Sequence, residues 1–126
     1  MTHLLSNFYT EQASTYVPGT TAFSSTIRLN PQHEVYKGHF PQMPVAPGVV
    51  LIQTIKEILM EKLGKKLRLT EGDNIKFLAL INPQENADFQ VDFTLKSVYN
   101  ELEVNASYVS NSKAFTKFKG KFLIVD

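Results

Sequence analysis

The sequence predicts an α+β domain in which a curled antiparallel sheet wraps one long central helix, and three observations carry that expectation. One window has clear helical periodicity, Val49 to Leu63, and it is closed by Gly64, Lys65 and Lys66. Segments on both sides of it alternate apolar and polar residues with a period of two. The later segments are joined by short turns, which suit antiparallel neighbours rather than parallel crossovers.

In chain order, the first strand runs from Phe23 to Leu29, where Phe23, Ser25, Ile27 and Leu29 alternate with Ser24, Thr26 and Arg28. Apolar residues cover more than one stripe of the helix over its first turns. Its N-terminal half should therefore be wrapped by other structure, with Lys56, Glu61 and Lys62 facing water later on. The apolar stretch Ile75 to Ile81, ended by Asn82-Pro83, reads as a central strand. Phe89 to Lys96 and Leu102 to Tyr108 alternate on either side of a turn near Asn100 and should pair antiparallel. A turn at Asn111-Ser112 leads to a last strand, Ala114 to Val125, with Phe118, Phe122 and Ile124 on one face and Lys117, Lys119 and Lys121 on the other. Such a sheet covers only part of the helix and leaves edges exposed, so a dimer is expected.

Composition narrows the function. With 126 residues, residues 1–126 are expected to form one domain, and 43% apolar content supports a packed core. A net charge of +1 provides no field to gather nucleic acid or an anionic membrane. Cysteine is absent, which removes thiolate metal sites and thiol nucleophiles. His33 and His39 stand six apart, which is no metal-ligand spacing, so neither metal nor organic cofactor is expected and His33 reads as a loop residue. The start, Met1 to Asn7, lacks a basic region and a long apolar run, and no apolar run approaches the roughly 20 residues of a membrane span. A cytoplasmic protein is the expectation.

The chemistry is expected in Lys37-Gly38-His39-Phe40-Pro41-Gln42-Met43-Pro44-Val45-Ala46-Pro47-Gly48, which holds three of the six prolines and directly precedes the helix. Each proline fixes its own φ and restrains the residue before it, so His39 should sit on a stiff backbone. Gly48 stands at the helix mouth, where unpaired N–H groups and the positive end of the dipole can stabilise a carbonyl oxygen that gains charge.

The run Gly38-His39-Phe40-Pro41, then Pro44-Val45, then Pro47-Gly48-Val49-Val50, with a long helix after it, resembles the beta-hydroxyacyl-acyl carrier protein dehydratases of the hotdog fold. His-Phe-Pro, Pro-Val and Pro-Gly-Val at fixed spacing make a specific pattern. Ile75 to Ile81 and Phe115 to Gly120 resemble later strands of that family, so the likeness covers the chain from about Ala22 onward. The resemblance implies a single hotdog domain, a dimer with joined sheets and an acyl tunnel along the interface. It implies that His39 takes the α-proton of a 3-hydroxyacyl thioester while the Gly48 N–H holds the thioester oxygen, with Phe40 and Val49 beside the substrate. Acyl carrier protein is the partner it implies, and fatty-acid, polyene or lipid biosynthesis the setting.

The sequence departs from the family at one position. Fourteen residues after the His, where the family has Glu, or Asp in a sister branch, stands Gln53. An amide hydrogen-bonds but supplies no proton to a leaving hydroxide. Three readings stand open. Gln53 orients the hydroxyl while His39 moves the proton; Glu57, one turn on and roughly 6 Å along the axis, substitutes as the acid; or the chain is a weakly catalytic acyl-binding subunit that pairs with an active homologue. The bland reading of Glu57, a carboxylate that caps buried polar atoms or faces solvent, is preferred. A hotdog acyl thioesterase is a further alternative, using the same helix mouth with a water. Lys117, Lys119 and Lys121, with Lys65, Lys66 and Arg68, form either a carrier-protein patch or a solvated strand face.

Overall fold

The computed structural model describes residues 7–37 and 44–125. Six antiparallel strands form one curled sheet: β1 (Tyr9–Ser14), β2 (Ala22–Leu29), β3 (Lys66–Phe77), β4 (Asp88–Val98), β5 (Glu101–Ser110) and β6 (Lys113–Val125). Their spatial order is β1-β2-β4-β5-β6-β3. Helix α1 (Gly48–Leu63) lies against the inner face, and a short 3-10 turn, Glu34–Tyr36, follows β2. His33 caps that turn, its Nδ1 accepting from Val35 N–H at 3.0 Å.

Period-two alternation decides which face meets the helix. Phe23, Ser25, Ile27 and Leu29 of β2 are buried, as are Phe89, Val91 and Phe93 of β4, Leu102, Val104, Ala106 and Tyr108 of β5, and Phe118 and Phe122 of β6. They close on Val50, Leu51, Ile55, Ile58 and Leu59 of α1. A fully buried side chain such as Ile55 or Phe122 contributes roughly 1.5–3 kcal/mol relative to exposure. The helix ends where Gly64 turns left-handed, at φ 65°, and its N–H donates to Met60 O at 2.9 Å.

Three expectations are corrected. β1 is not legible as a strand in the sequence. Its pairing with β2 includes a register shift between Glu11 and Ala13, which breaks the alternation that would have revealed it. The strand expected at Ile75 to Ile81 begins at Lys66, ends at Phe77 and lies at the sheet edge, beyond β6. Residues 78–81 leave the sheet, with Leu78 and Ala79 both donating to Phe115 O. Lys62 faces β1 rather than water: its ammonium meets Glu11 Oε1 at 2.6 Å, and Glu11 also accepts from Ser25 Oγ.

The lysines run along the β3–β6 pair. Lys117 lies opposite Lys76, and Arg68 lies opposite Leu123, two residues from Lys121. The basic residues therefore follow one another along these strands, and Lys121 faces Glu71 at 3.7 Å.

Turn geometry agrees with the sequence at Asn111 and Ser112, both at positive φ (52° and 62°), as a primed hairpin turn requires. The β4–β5 hairpin is less well served, because Tyr99, 98% exposed, holds φ 57°. That conformation costs a residue with a Cβ about 1 kcal/mol. Tyr99→Gly is accordingly expected to stabilise the fold by about 0.5–1 kcal/mol, measured as a higher denaturant midpoint with unchanged slope. An unchanged or lower midpoint would contradict the assignment of strain to this turn.

Candidate active site

Approach to the helix mouth is fixed by backbone. Ala46 N–H donates to Ile81 O at 2.8 Å, tying the segment before α1 to the segment after β3. Pro47 is the N-cap, with φ −65° and ψ 143° and no side-chain cap. Its carbonyl receives both Val50 N–H at 3.0 Å and Leu51 N–H at 3.1 Å. Among the described residues the N–H groups of Gly48 and Val49 have no acceptor, so two donors open at the positive end of the helix. Phe77 lies close over Gly48: a Cβ there would lie 2.5 Å from Cζ of Phe77, so a larger residue would push the ring aside.

These donors open on a groove of about 480 Å³ bounded by Val45, Pro47, Gly48, Leu51, Phe77, Leu80 and Thr116. Its wall is mostly apolar, and Val49, Phe77 and Leu80 beside it are 74%, 54% and 64% exposed. Thr116 is the exception. It is buried, and its hydroxyl has no hydrogen-bond partner among the described residues.

Gln53 and Glu57 form a second locus. Gln53 Nε2 donates to Glu57 Oε2 at 3.3 Å across one helical turn. Gln53 follows Val49 by four residues, about 40° around the axis, and so stands one turn beyond the part of the groove that Val49 borders. Because the carboxylate only accepts, the amide nitrogen is held toward Glu57 and Oε1 is left as the end able to meet a ligand. Glu57 is 1% exposed, which removes the expectation of a solvent-facing carboxylate. His39 and Phe40 lie outside the described residues.

Sequence reading thus locates Gly48, Val49, Gln53 and Glu57 and misses Phe77 and Thr116. Thr116 carries a signal: it shares the parity of Phe118 and Phe122, and a polar residue in the buried phase of a strand invites a question. Phe77 carries none, because it falls inside an apolar run that reads as a central strand. Among the described residues no group of three or more His, Cys, Asp or Glu could hold a metal ion, and no helix is long and apolar enough to cross a membrane.

Burial keeps several phenols protonated near this core. Tyr9 is pushed well above the ordinary tyrosine range by burial, with the charges of Glu57, Glu61 and Glu11 adding to it. Tyr108 is driven far up by burial, and Tyr36 is pushed up to about 12 for the same reason. Above about pH 10 the unfolded chain releases phenolic protons that the folded chain retains, so stability should be whole below that pH and fall as pH rises toward 12. Tyr36→Phe should flatten part of the fall. A denaturation midpoint that stays constant over this range in the unmodified chain would contradict the account.

Comparison with known proteins gives a consistent set. The sequence profile of the ApeI-like family, described as ApeI dehydratase, matches residues 16–118. The 3-hydroxyacyl-acyl-carrier-protein dehydratase FabZ of Bacillus velezensis is 28% identical over 68 residues, 48% of this chain and 48% of that protein, so the chain spans about half the length of this relative. Among solved structures, the dehydratase heterocomplex ApeI:P from Xenorhabdus doucetiae superposes with a TM-score of 0.72 at 17% identity, covering 90% of this chain and 96% of that one. An uncharacterized protein from Erwinia carotovora subsp. atroseptica gives 0.69 at 19% identity, covering 93% and 95%. At these identities the two structures establish the hotdog fold.

Proposed function

The chain belongs to the ApeI-like dehydratase family, and from that premise we propose that it eliminates water from a 3-hydroxyacyl thioester on an acyl carrier protein, giving the trans-2-enoyl thioester. One observation carries the reading. The His-Phe-Pro, Pro-Val and Pro-Gly-Val pattern leads into a helix mouth whose first two N–H groups face an apolar groove large enough for an acyl chain. His39 takes the α-proton, the Gly48 N–H holds the thioester oxygen as negative charge develops, and Val49 and Phe40 flank the chain. The C–O bond to the β-hydroxyl then breaks, and His39 returns its proton to that oxygen, which leaves as water. No metal or organic cofactor enters this balance.

Gln53 has the role of orienting group. Its amide nitrogen is engaged by Glu57, so Oε1 accepts from the substrate hydroxyl and aims it. An acyl chain that runs along a dimer interface, as the family resemblance implies, can meet His39 from one copy and Gln53 from another. The surface supports such pairing. β3 is a twelve-residue edge strand whose end adjoins the exposed Phe77, Leu78, Leu80 and Val49.

Mass spectrometry of a 3-hydroxyacyl carrier protein is expected to record loss of water with the unmodified chain and a drop of about 100-fold or more with His39→Ala. Mixing the inactive His39→Ala and Gln53→Ala chains should restore about a quarter of the activity if each site draws one residue from each copy. No restoration would place both residues in one copy. Gln53→Glu sets a carboxyl against Glu57, and the like charge and burial raise its pKa. The variant should then dehydrate faster at low pH and lose that gain as pH rises.

The missing carboxylate at position 53 favours a second reading, a subunit that works beside a catalytic homologue. Inertness of the unmodified chain across chain lengths, with activity switched on by Gln53→Glu, would establish it over the first.

A further inference from the structure

Thr116 sits in the inner face of the sheet where an apolar residue would serve packing better. Its cross-strand neighbours are Phe77 on β3 and Tyr108 on β5, so the three side chains share the face that meets the start of α1. The buried hydroxyls beside it on α1 and β5 are engaged. Tyr108 donates to Leu51 O at 2.6 Å and Thr54 to Val50 O at 2.9 Å. The hydroxyl of Thr116, itself 1% exposed, has no partner among the described residues although it borders the groove at the helix mouth. Valine has the same shape and would carry no desolvation penalty there.

We propose that Thr116 is a specificity-determining residue of the groove, its hydroxyl bonding to an oxygen borne by the acyl chain beyond the β-hydroxyl that Gln53 aims. Chains with that second oxygen are thereby preferred over chains of equal length without it. The proposal rests on the acyl-thioester reading above and adds the feature of the acyl group that is recognised. An oxygen that reaches Thr116 satisfies the hydroxyl, whereas a methylene in the same place leaves it buried and unpaired, and sites built this way discriminate strongly. Access runs past the ring of Phe77, half exposed beside Thr116 and lying over Gly48.

Pantetheine amides separate recognition from turnover, because an amide lacks the acidic α-proton of a thioester. Titration calorimetry with two 3-hydroxyacyl pantetheine amides of equal length, one carrying a second hydroxyl or carbonyl further along the chain and one without it, is expected to show tighter binding of the ligand with the second oxygen by about tenfold. Thr116→Val should abolish that preference while raising the melting temperature, and Thr116→Ser should keep it. A preference that survives in Thr116→Val overturns the proposal, as does equal binding or no binding of both ligands by the unmodified chain. Clear discrimination between the amides without water loss from the thioester would instead refute the dehydratase reading and leave Thr116 in its role.

Discussion

Helix α1 is covered along most of its length by the inward phase of the sheet, and nearly every other feature follows from the need to keep it dry. Phe89, Phe118, Phe122, Ile55 and Leu59 are fully or almost fully buried around it. A helix enclosed this way can open its backbone only at the ends. At the far end Gly64 closes it within the chain. At the near end a proline supplies the cap, contributes no N–H of its own, and leaves two donors facing a groove. Fold stability and the two open backbone donors therefore come from the same enclosure.

Polar groups inside the enclosure are disposed with economy. Tyr108 bonds from β5 to Leu51 O and so anchors the helix in rotation, Thr54 bonds back to Val50 O of its own helix, and both leave the leading N–H groups untouched. Glu57 acts differently, fixing the amide of Gln53 at one turn's distance. An amide held by a carboxylate is a rigid acceptor, and such rigidity is useful where a hydroxyl must be aimed rather than protonated.

Much of this is legible in the sequence, for reasons that can be named. Helix α1 announces itself by periodicity and by Gly64; the paired strands β4, β5 and β6 announce themselves by strict alternation, and Asn111-Ser112 by the φ it must adopt. Edge strands are harder. β3 has only Leu67 buried along its twelve residues, so no apolar face marks it, and the apolar run that follows imitates a strand because Ala79 and Leu80 belong to the groove. At the site, Gly48, Gln53 and Glu57 are local to the helix and can be placed by counting. Thr116 meets them only through the β3–β6 register, and such long-range pairing is invisible to local pattern.

That same register has a consequence for how the molecule assembles. β4, β5 and β6 form a meander of short hairpins, whereas Phe77 must wait for Thr116, about forty residues further along. Loop closure over that distance comes after the hairpins, which form on microsecond scales of about 1–10 μs. The wall of the groove is thus laid down after the hairpins. Until then the apolar residues from Phe77 to Leu80 belong to a collapsing chain with no neighbour, an opening in which contact with another copy competes with contact at home.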